Sequence, residues 1–306
     1  MSMREHFISQ SHQRVDAAPA WREYLALCKP RVVSLIVFTA VIGMFLSTDG
    51  MVPLAALLFG TAGIGLAASA GAAINHIADR RIDAVMARTR SRPLPTGRLD
   101  TMRAVLFAGA LCTISMLMLV SMVNLLTAVL TFASMIGYSV VYTVFLKWRT
   151  PQNIVIGGAA GAMPPVLGWS AVTGSIDPHA LLLFLIIFAW TPPHFWALAI
   201  HRKDDYARAD IPMLPVTHGI AFTRTYVMLY TLVLVVVSLL PFVTRMSGVL
   251  YLAAALILGA GFLYQAVVLY RGQDERAPYR TFKYSIHYLS GLFAALLIDH
   301  YFPVLV

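Results

Sequence analysis

Nine stretches of this chain run for about twenty residues with scarcely a charge: roughly 31–48, 53–76, 104–122, 124–146, 152–172, 179–201, 222–244, 248–270 and 284–303. A helix needs about 20 apolar residues to cross a bilayer, and within the hydrocarbon only a helix or a closed barrel satisfies every backbone group. Barrel strands alternate apolar and polar residues, and these runs do not. The composition agrees, with 59% hydrophobic and 12% charged residues where soluble domains hold about 45–50% and about 25%. An ordinary soluble enzyme and a disordered chain are excluded. The expected fold class is all-α: a polytopic membrane protein of nine transmembrane helices around a central cavity. The run from Met116 to Leu146 is long enough to pass for one helix, but Asn124 and the lengths divide it into two.

Charge placement orients the spans. If all nine cross, 22 of the 23 Lys and Arg residues fall on one side and only Arg245 on the other. Basic residues mark the cytoplasmic side, so the N-terminus is expected in the cytoplasm and the C-terminus outside. The net charge of +9 is then topology, with the lipid bilayer as its counterpart, and implies no nucleic-acid partner. The first twenty residues carry Glu5 and Asp16 and lack an apolar core, unlike a secretory signal. The chain reads as a single integral-membrane domain over 1–306: a short cytoplasmic tail to about 24, possible four-helix units about 25–150 and 151–270, and a ninth helix 284–303. Cys28 and Cys112 are too few for a disulfide framework or a cysteine metal site.

The chemistry gathers at the cytoplasmic ends of the spans. Asn75, Asp79 and Asp83 follow one another at i, i+4 and i+8, each offset by about 40° along a helix, so they share one face. Oxygen ligands in that arrangement suit a hard divalent cation such as Mg²⁺ bound jointly with phosphate. A solvated helix end balanced by Arg80 and Arg81 is the plainer alternative. Asn75 lies deeper, beside small residues, where a polar group needs a partner or a task. The loop that follows holds Arg88, Arg90, Arg92 and Arg98. Guanidinium groups pair with phosphate oxygens, although such a loop alone also serves orientation. Beside an acidic face, the two halves make a diphosphate site.

The second half of the chain offers a counterpart. His194, Leu198, His201 and Asp205 fall near one line down a helix. Pro192 and Pro193 are expected to break or kink that span and to leave irregular backbone at membrane depth, tolerated only where it is buried or lines a cavity. Trp190 and Trp196 fit an interfacial belt or the wall of a flat apolar ligand site. Arg202 and Lys203 follow directly, while Tyr138, Tyr142 and Lys147 close span four. Neither a phosphate-binding P-loop nor a dinucleotide fingerprint is present.

These motifs together resemble the UbiA-type intramembrane prenyltransferases, and within them the branch that farnesylates heme. The superfamily pattern is similar to Asn75-xxx-Asp79-xxx-Asp83. The branch patterns are similar to Arg92-Pro93-Leu94-Pro95, Thr150-Pro151-Gln152-Asn153 with Gly157-Gly158, Thr191-Pro192-Pro193-His194-Phe195-Trp196, and Asp205-Tyr206 through Ile211-Pro212-Met213-Leu214-Pro215. The match spans roughly residues 25–300. Quinone-pathway relatives carry a second acid pair where this chain has Asp205 with His194 and His201.

The resemblance implies that farnesyl diphosphate, heme B (a substrate, not a cofactor) and water give heme O and diphosphate. It implies Mg²⁺ held by Asn75, Asp79, Asp83 and Asp205, and a leaving charge met by Arg88, Arg92, Lys147 and Arg202 or Lys203. His76 or His194 would orient heme iron or take a proton from water. His76, His194, His201, Trp196 and Tyr142 are the heme-side candidates. The implied setting is a bacterial cell inner membrane, with room for a heme A synthase or terminal-oxidase assembly factors as partners. Three rivals are weighed at this point: a quinone-precursor prenyltransferase of the same superfamily; an ion-coupled transporter, whose acids would lie at midplane; and a non-catalytic assembly protein, which would not need three ligands on one face.

Overall fold

A computed structural model describes residues 20–303; the first nineteen residues of the expected tail lie outside the described residues. Within them the chain forms helices α1 (Ala20–Leu27), α2 (Pro30–Leu46), α3 (Ala56–Val85), α4 (Thr101–Met122), α5 (Leu125–Arg149), α6 (Asn153–Thr173), α7 (Pro178–His201), α8 (Lys203–Arg208), α9 (Leu214–Thr217), α10 (Gly219–Val243), α11 (Val249–Arg271) and α12 (Ala277–Tyr301), and no strands. A long helix stands at each of the nine apolar stretches. Seven are long and apolar enough to cross a membrane, and α1 with α2 adds an eighth if that pair, bent by 55°, is one span. Helix α12 is 25 residues long but falls short in apolarity, because Arg280, Lys283, His287, Asp299 and His300 interrupt it.

Local chemistry sets the ends of these helices. Asp100 accepts hydrogen bonds from the backbone N–H groups of Met102 and Arg103 at 2.9 and 3.2 Å and caps α4. Asn124 is extended and accepts from Thr127 N at 2.8 Å, so it starts a new helix and divides the long apolar run as expected. Asp177 accepts from His179 N at 2.7 Å with Pro178 at the first helical position. The expected break at Pro192–Pro193 does not occur: α7 continues through both prolines to His201. Other helices pack around it, from α6, α10 and α12, and such neighbours hold a proline-containing span together. Irregular backbone is found instead in α5, where Gly137–Leu146 is a π-helix.

Consecutive long helices pack against one another from α2 to α12, and α12 returns to α2, which closes the bundle into a ring. Contacts across the ring, α2 with α6 and α7 with α12, fill its interior. The tightest lies in the half away from the charged ends. There Gly43 of α2 faces the Pro165 carbonyl of α6, and Gly168 of α6 faces the Ala40 carbonyl of α2, so closely that a Cβ at either glycine collides with backbone. Small residues permit such an approach where helices cross in membranes. The outer faces remain apolar: α4 buries only 17% of its hydrophobic window, and Leu106, Leu117 and Val120 point outward. This is the surface of a multi-pass membrane protein, with apolar side chains for lipid outside and charge collected at one end.

Candidate active site

Asn75, Asp79 and Asp83 lie on the last turns of α3, all three buried. Each donor oxygen meets a cation from a different part of the chain. Lys147, at the end of α5, places Nζ 2.8 Å from Asp79 Oδ2. Arg92, in the loop after α3, donates to Asp83 Oδ2 at 2.7 Å. Lys29 Nζ donates to Asn75 Oδ1. The Asn75 amide in turn donates to Asp79 Oδ2 at 3.0 Å and to Thr143 Oγ1 at 3.1 Å. The result is a row of hard oxygen donors on one face, opposed by three positive side chains. Chemically, that row is fit to hold Mg²⁺: three oxygens from one helix face leave the remaining coordination positions for water and phosphate, which this ion favours.

Two members of this network were not among the expected site residues. Lys29 counted only as an orienting charge. Here it adopts left-handed backbone (φ 49°) between α1 and α2, a conformation that costs a non-glycine residue about 1–3 kcal/mol and recurs at functional sites. Thr143 lay hidden in an apolar run. The π-helix gives the chain one extra residue per turn: Thr143 Oγ1 donates to the Tyr138 carbonyl five residues back at 2.9 Å. In this register Thr143 and Lys147 both face α3, and π-helical segments often mark functional positions. Tyr138 and Tyr142 stack at 5.9 Å on the same segment. The Tyr142 ring lies directly over Gly157 of α6, where a Cβ would clash.

The second half of the chain meets the first around Tyr206 on α8. Tyr142 is within electrostatic reach of both Asp79 and Tyr206, and Tyr206 is within reach of Arg88, Arg202 and Asp205. Burial pushes the Tyr206 phenol up, reinforced by Asp205 and opposed by the two arginines, so it remains a neutral hydroxyl. Asp205 is buried on α8, and among the described residues no three acidic, His or Cys side chains form a metal-binding group. The Asp205 carboxylate is held by Arg208 at 2.6 Å and by Arg202 at 3.7 Å. Lys203 begins α8 half-buried. Two recesses open at this mouth. One recess of about 440 Å³ is lined by His76, Lys29, Arg92 and Arg98, and a separate one of about 230 Å³ by His201, Arg202, Asp205 and Arg208.

The aromatic and histidine candidates separate into distinct settings. His76 is buried, with both ring nitrogens unpartnered among the described residues. His194 is buried between α7 and α12, its Nδ1 2.6 Å from Ser285 Oγ. His201 is exposed and tilts against Tyr279 at 5.1 Å. Trp196 does not wall a ligand site: it is fully buried in packing, edge-on to Tyr226 and Tyr230. Trp190 is the tryptophan beside a histidine, stacked on His194 at 4.1 Å.

Known proteins resemble this chain in sequence and in fold. "Protoheme IX farnesyltransferase" of Thioalkalivibrio sulfidiphilus is 59% identical over 98% of each chain. The protein of the same name from Nitrosococcus oceani is 61% identical over 92% of this chain and 95% of its own. Two solved structures share the fold at low identity. One, described as digeranylgeranylglyceryl phosphate synthase, matches with a TM-score of 0.77 at 18% identity over 92% of this chain and 99% of that one. The other is a UbiA homologue from Archaeoglobus fulgidus bound to DMAPP and Mg²⁺, with a TM-score of 0.64 at 16% identity over 90% and 99%. The model of the UbiA prenyltransferase family matches residues 36–293, and the chain belongs to that family.

Proposed function

We propose that this protein transfers the farnesyl group of farnesyl diphosphate to a vinyl group of heme B, with addition of water, giving heme O and diphosphate. The observation that carries the transfer half is the α3 face, where Asn75, Asp79 and Asp83 are each met by Lys29, Lys147 and Arg92 respectively. Such a site supplies both signs of charge that a metal diphosphate needs. The acceptor is supported by relatives about 60% identical over nearly the full chain that carry the name protoheme IX farnesyltransferase.

Asn75, Asp79 and Asp83 hold Mg²⁺, which when bound supplies Lewis acidity to the diphosphate. Asp205, on the facing side of the mouth beside Arg202 and Arg208, is the further candidate ligand. Arg92 and Lys147, with Arg88, Arg202 and Lys203 at the mouth, stabilise charge on the departing diphosphate. The C1–O bond of the farnesyl chain breaks as a vinyl carbon bonds to C1. Water then adds at the neighbouring vinyl carbon and loses a proton, leaving the hydroxyl. The stacked Tyr138 and Tyr142 offer an aromatic face to the allylic cation. The closed far end keeps bulk water from it. His76, His194 and the exposed His201 are the heme-side histidines. The setting is the inner membrane of a bacterium, in keeping with the bacterial relatives, with the charged mouth toward the cytoplasm and nine crossings.

The test is one incubation of purified protein with Mg²⁺, farnesyl diphosphate and ferrous heme B, read by product mass. Heme O is expected. A preparation that prenylates 4-hydroxybenzoate and leaves heme unchanged overturns the proposal.

A further inference from the structure

The His194 imidazole is packed among aromatic rings, with Phe195 edge-on at 4.8 Å. Trp190 stacks at 4.1 Å between ring centroids and Phe282 approaches at 4.7 Å, with interplanar angles of 22° and 33°. Packing therefore fixes the ring plane. Ser285 fixes the rest. Its Oγ lies 2.6 Å from His194 Nδ1 and also 2.6 Å from the backbone carbonyl of Phe282. Its own carbonyl accepts from Trp190 Nε1 at 2.7 Å. One residue of α12 thus anchors both the imidazole and the tryptophan stacked on it.

Proton accounting at that serine decides the tautomer. A hydroxyl has one proton, and a carbonyl oxygen can only accept. The Ser285 proton goes to the Phe282 carbonyl, so the hydroxyl meets Nδ1 with a lone pair and Nδ1 is the donor. A neutral imidazole protonated on Nδ1 has a bare lone pair on Nε2. That atom has no hydrogen-bond partner among the described residues and, unlike both nitrogens of His76, is not sealed off. A histidine serving only to fill space has no need of such an arrangement.

We propose that Ser285 is a positioning residue that holds His194 as the Nδ1–H tautomer and presents Nε2 as an axial ligand to the iron of the heme substrate. The inference rests on heme being the acceptor. A metal-binding histidine characteristically donates its other ring N–H to a fixed acceptor, which sets its tautomer and orientation. Nε2 is thus the ring nitrogen of His194 that this packing leaves without a partner.

The test titrates ferrous heme B into the full-length protein in detergent. The iron–histidine stretch is read by resonance Raman, and farnesyl transfer is measured in the same preparations. The wild-type protein is expected to show an iron–histidine mode that vanishes in His194→Ala. In Ser285→Ala the mode should shift and heme affinity should fall about 10–100-fold, the usual consequence of losing such a partner, while KM for farnesyl diphosphate is unchanged. Ser285→Thr, which keeps the hydroxyl, should restore both. Should Ser285→Ala fold poorly, Ser285→Cys, with a weaker acceptor, gives a partial shift. If wild-type protein makes heme O but the mode persists in His194→Ala, or is unmoved in the Ser285 variants, the ligation proposal is overturned and the function stands. If no heme product forms at all, both fall.

Discussion

Lys147 Nζ lies 2.8 Å from Asp79 Oδ2, joining residues 68 apart in sequence through two side chains no more than 10% exposed. Removing one partner of a buried pair leaves the other charge stranded, at about 3–5 kcal/mol. Lys147→Met should therefore lower the thermal unfolding temperature in detergent and abolish turnover. The double variant Lys147→Met with Asp79→Leu should regain much of the stability and none of the activity. A double variant that stays as unstable as the single one would show that the pair is not what holds α5 to α3.

Arg92 makes a different prediction, because its side chain is 21% exposed and it meets Asp83 from a loop rather than a helix. Arg92→Ala should leave the fold intact and raise KM for farnesyl diphosphate about 10–100-fold, the range of one lost charged hydrogen bond of about 1.5–3 kcal/mol. Arg92→Lys should recover only part of this, since an ammonium lacks the paired donors of a guanidinium. Steady-state kinetics with heme held saturating decides it; an unchanged KM in Arg92→Ala would remove the residue from the diphosphate site.

Asn75, Asp79 and Asp83 offer only oxygen, so metal dependence should follow hard-cation chemistry. EDTA is expected to stop turnover and Mg²⁺ to restore it. Asp83→Asn should raise the Mg²⁺ concentration needed for half-maximal rate while heme binding, followed by its Soret band, is unchanged. Loss of heme binding on chelation would mean that the metal organises the acceptor side as well.

Whatever follows from periodicity or from one strong side-chain preference was legible in the sequence: the nine long helices, the split at Asn124, the shared face of Asn75, Asp79 and Asp83. What escaped depends on contacts between distant segments. Lys29 reads as an orienting charge until α1 bends away from α2 and carries its amine to Asn75. Thr143 and Lys147 reach α3 in a register set by the π-helix, which no apolar pattern announces. Pro192 and Pro193 do not end α7, because neighbouring helices pack around it and the helix continues through them. Trp196, next to a candidate histidine in the motif, faces Tyr226 and Tyr230 instead, whereas Trp190, four residues before His194, stacks on it as a helical neighbour should.

The close crossing of α2 and α6 leads to the remaining prediction. Gly43 and Gly168 each face backbone of the opposite helix with no space for a Cβ, so even alanine must push the helices apart, and overpacking of this kind typically costs about 1–3 kcal/mol. That crossing closes the bundle at the end away from the diphosphate. If it keeps water from the allylic cation, parting it should misdirect the reaction rather than merely slow it. Gly168→Ala should consume farnesyl diphosphate but release farnesol at the expense of heme O, and mass analysis of both products in one incubation distinguishes the two effects. A variant that loses heme O with no gain in farnesol would confine the crossing to a role in stability, and the water seal would have to be sought nearer the mouth, around Tyr138 and Tyr142.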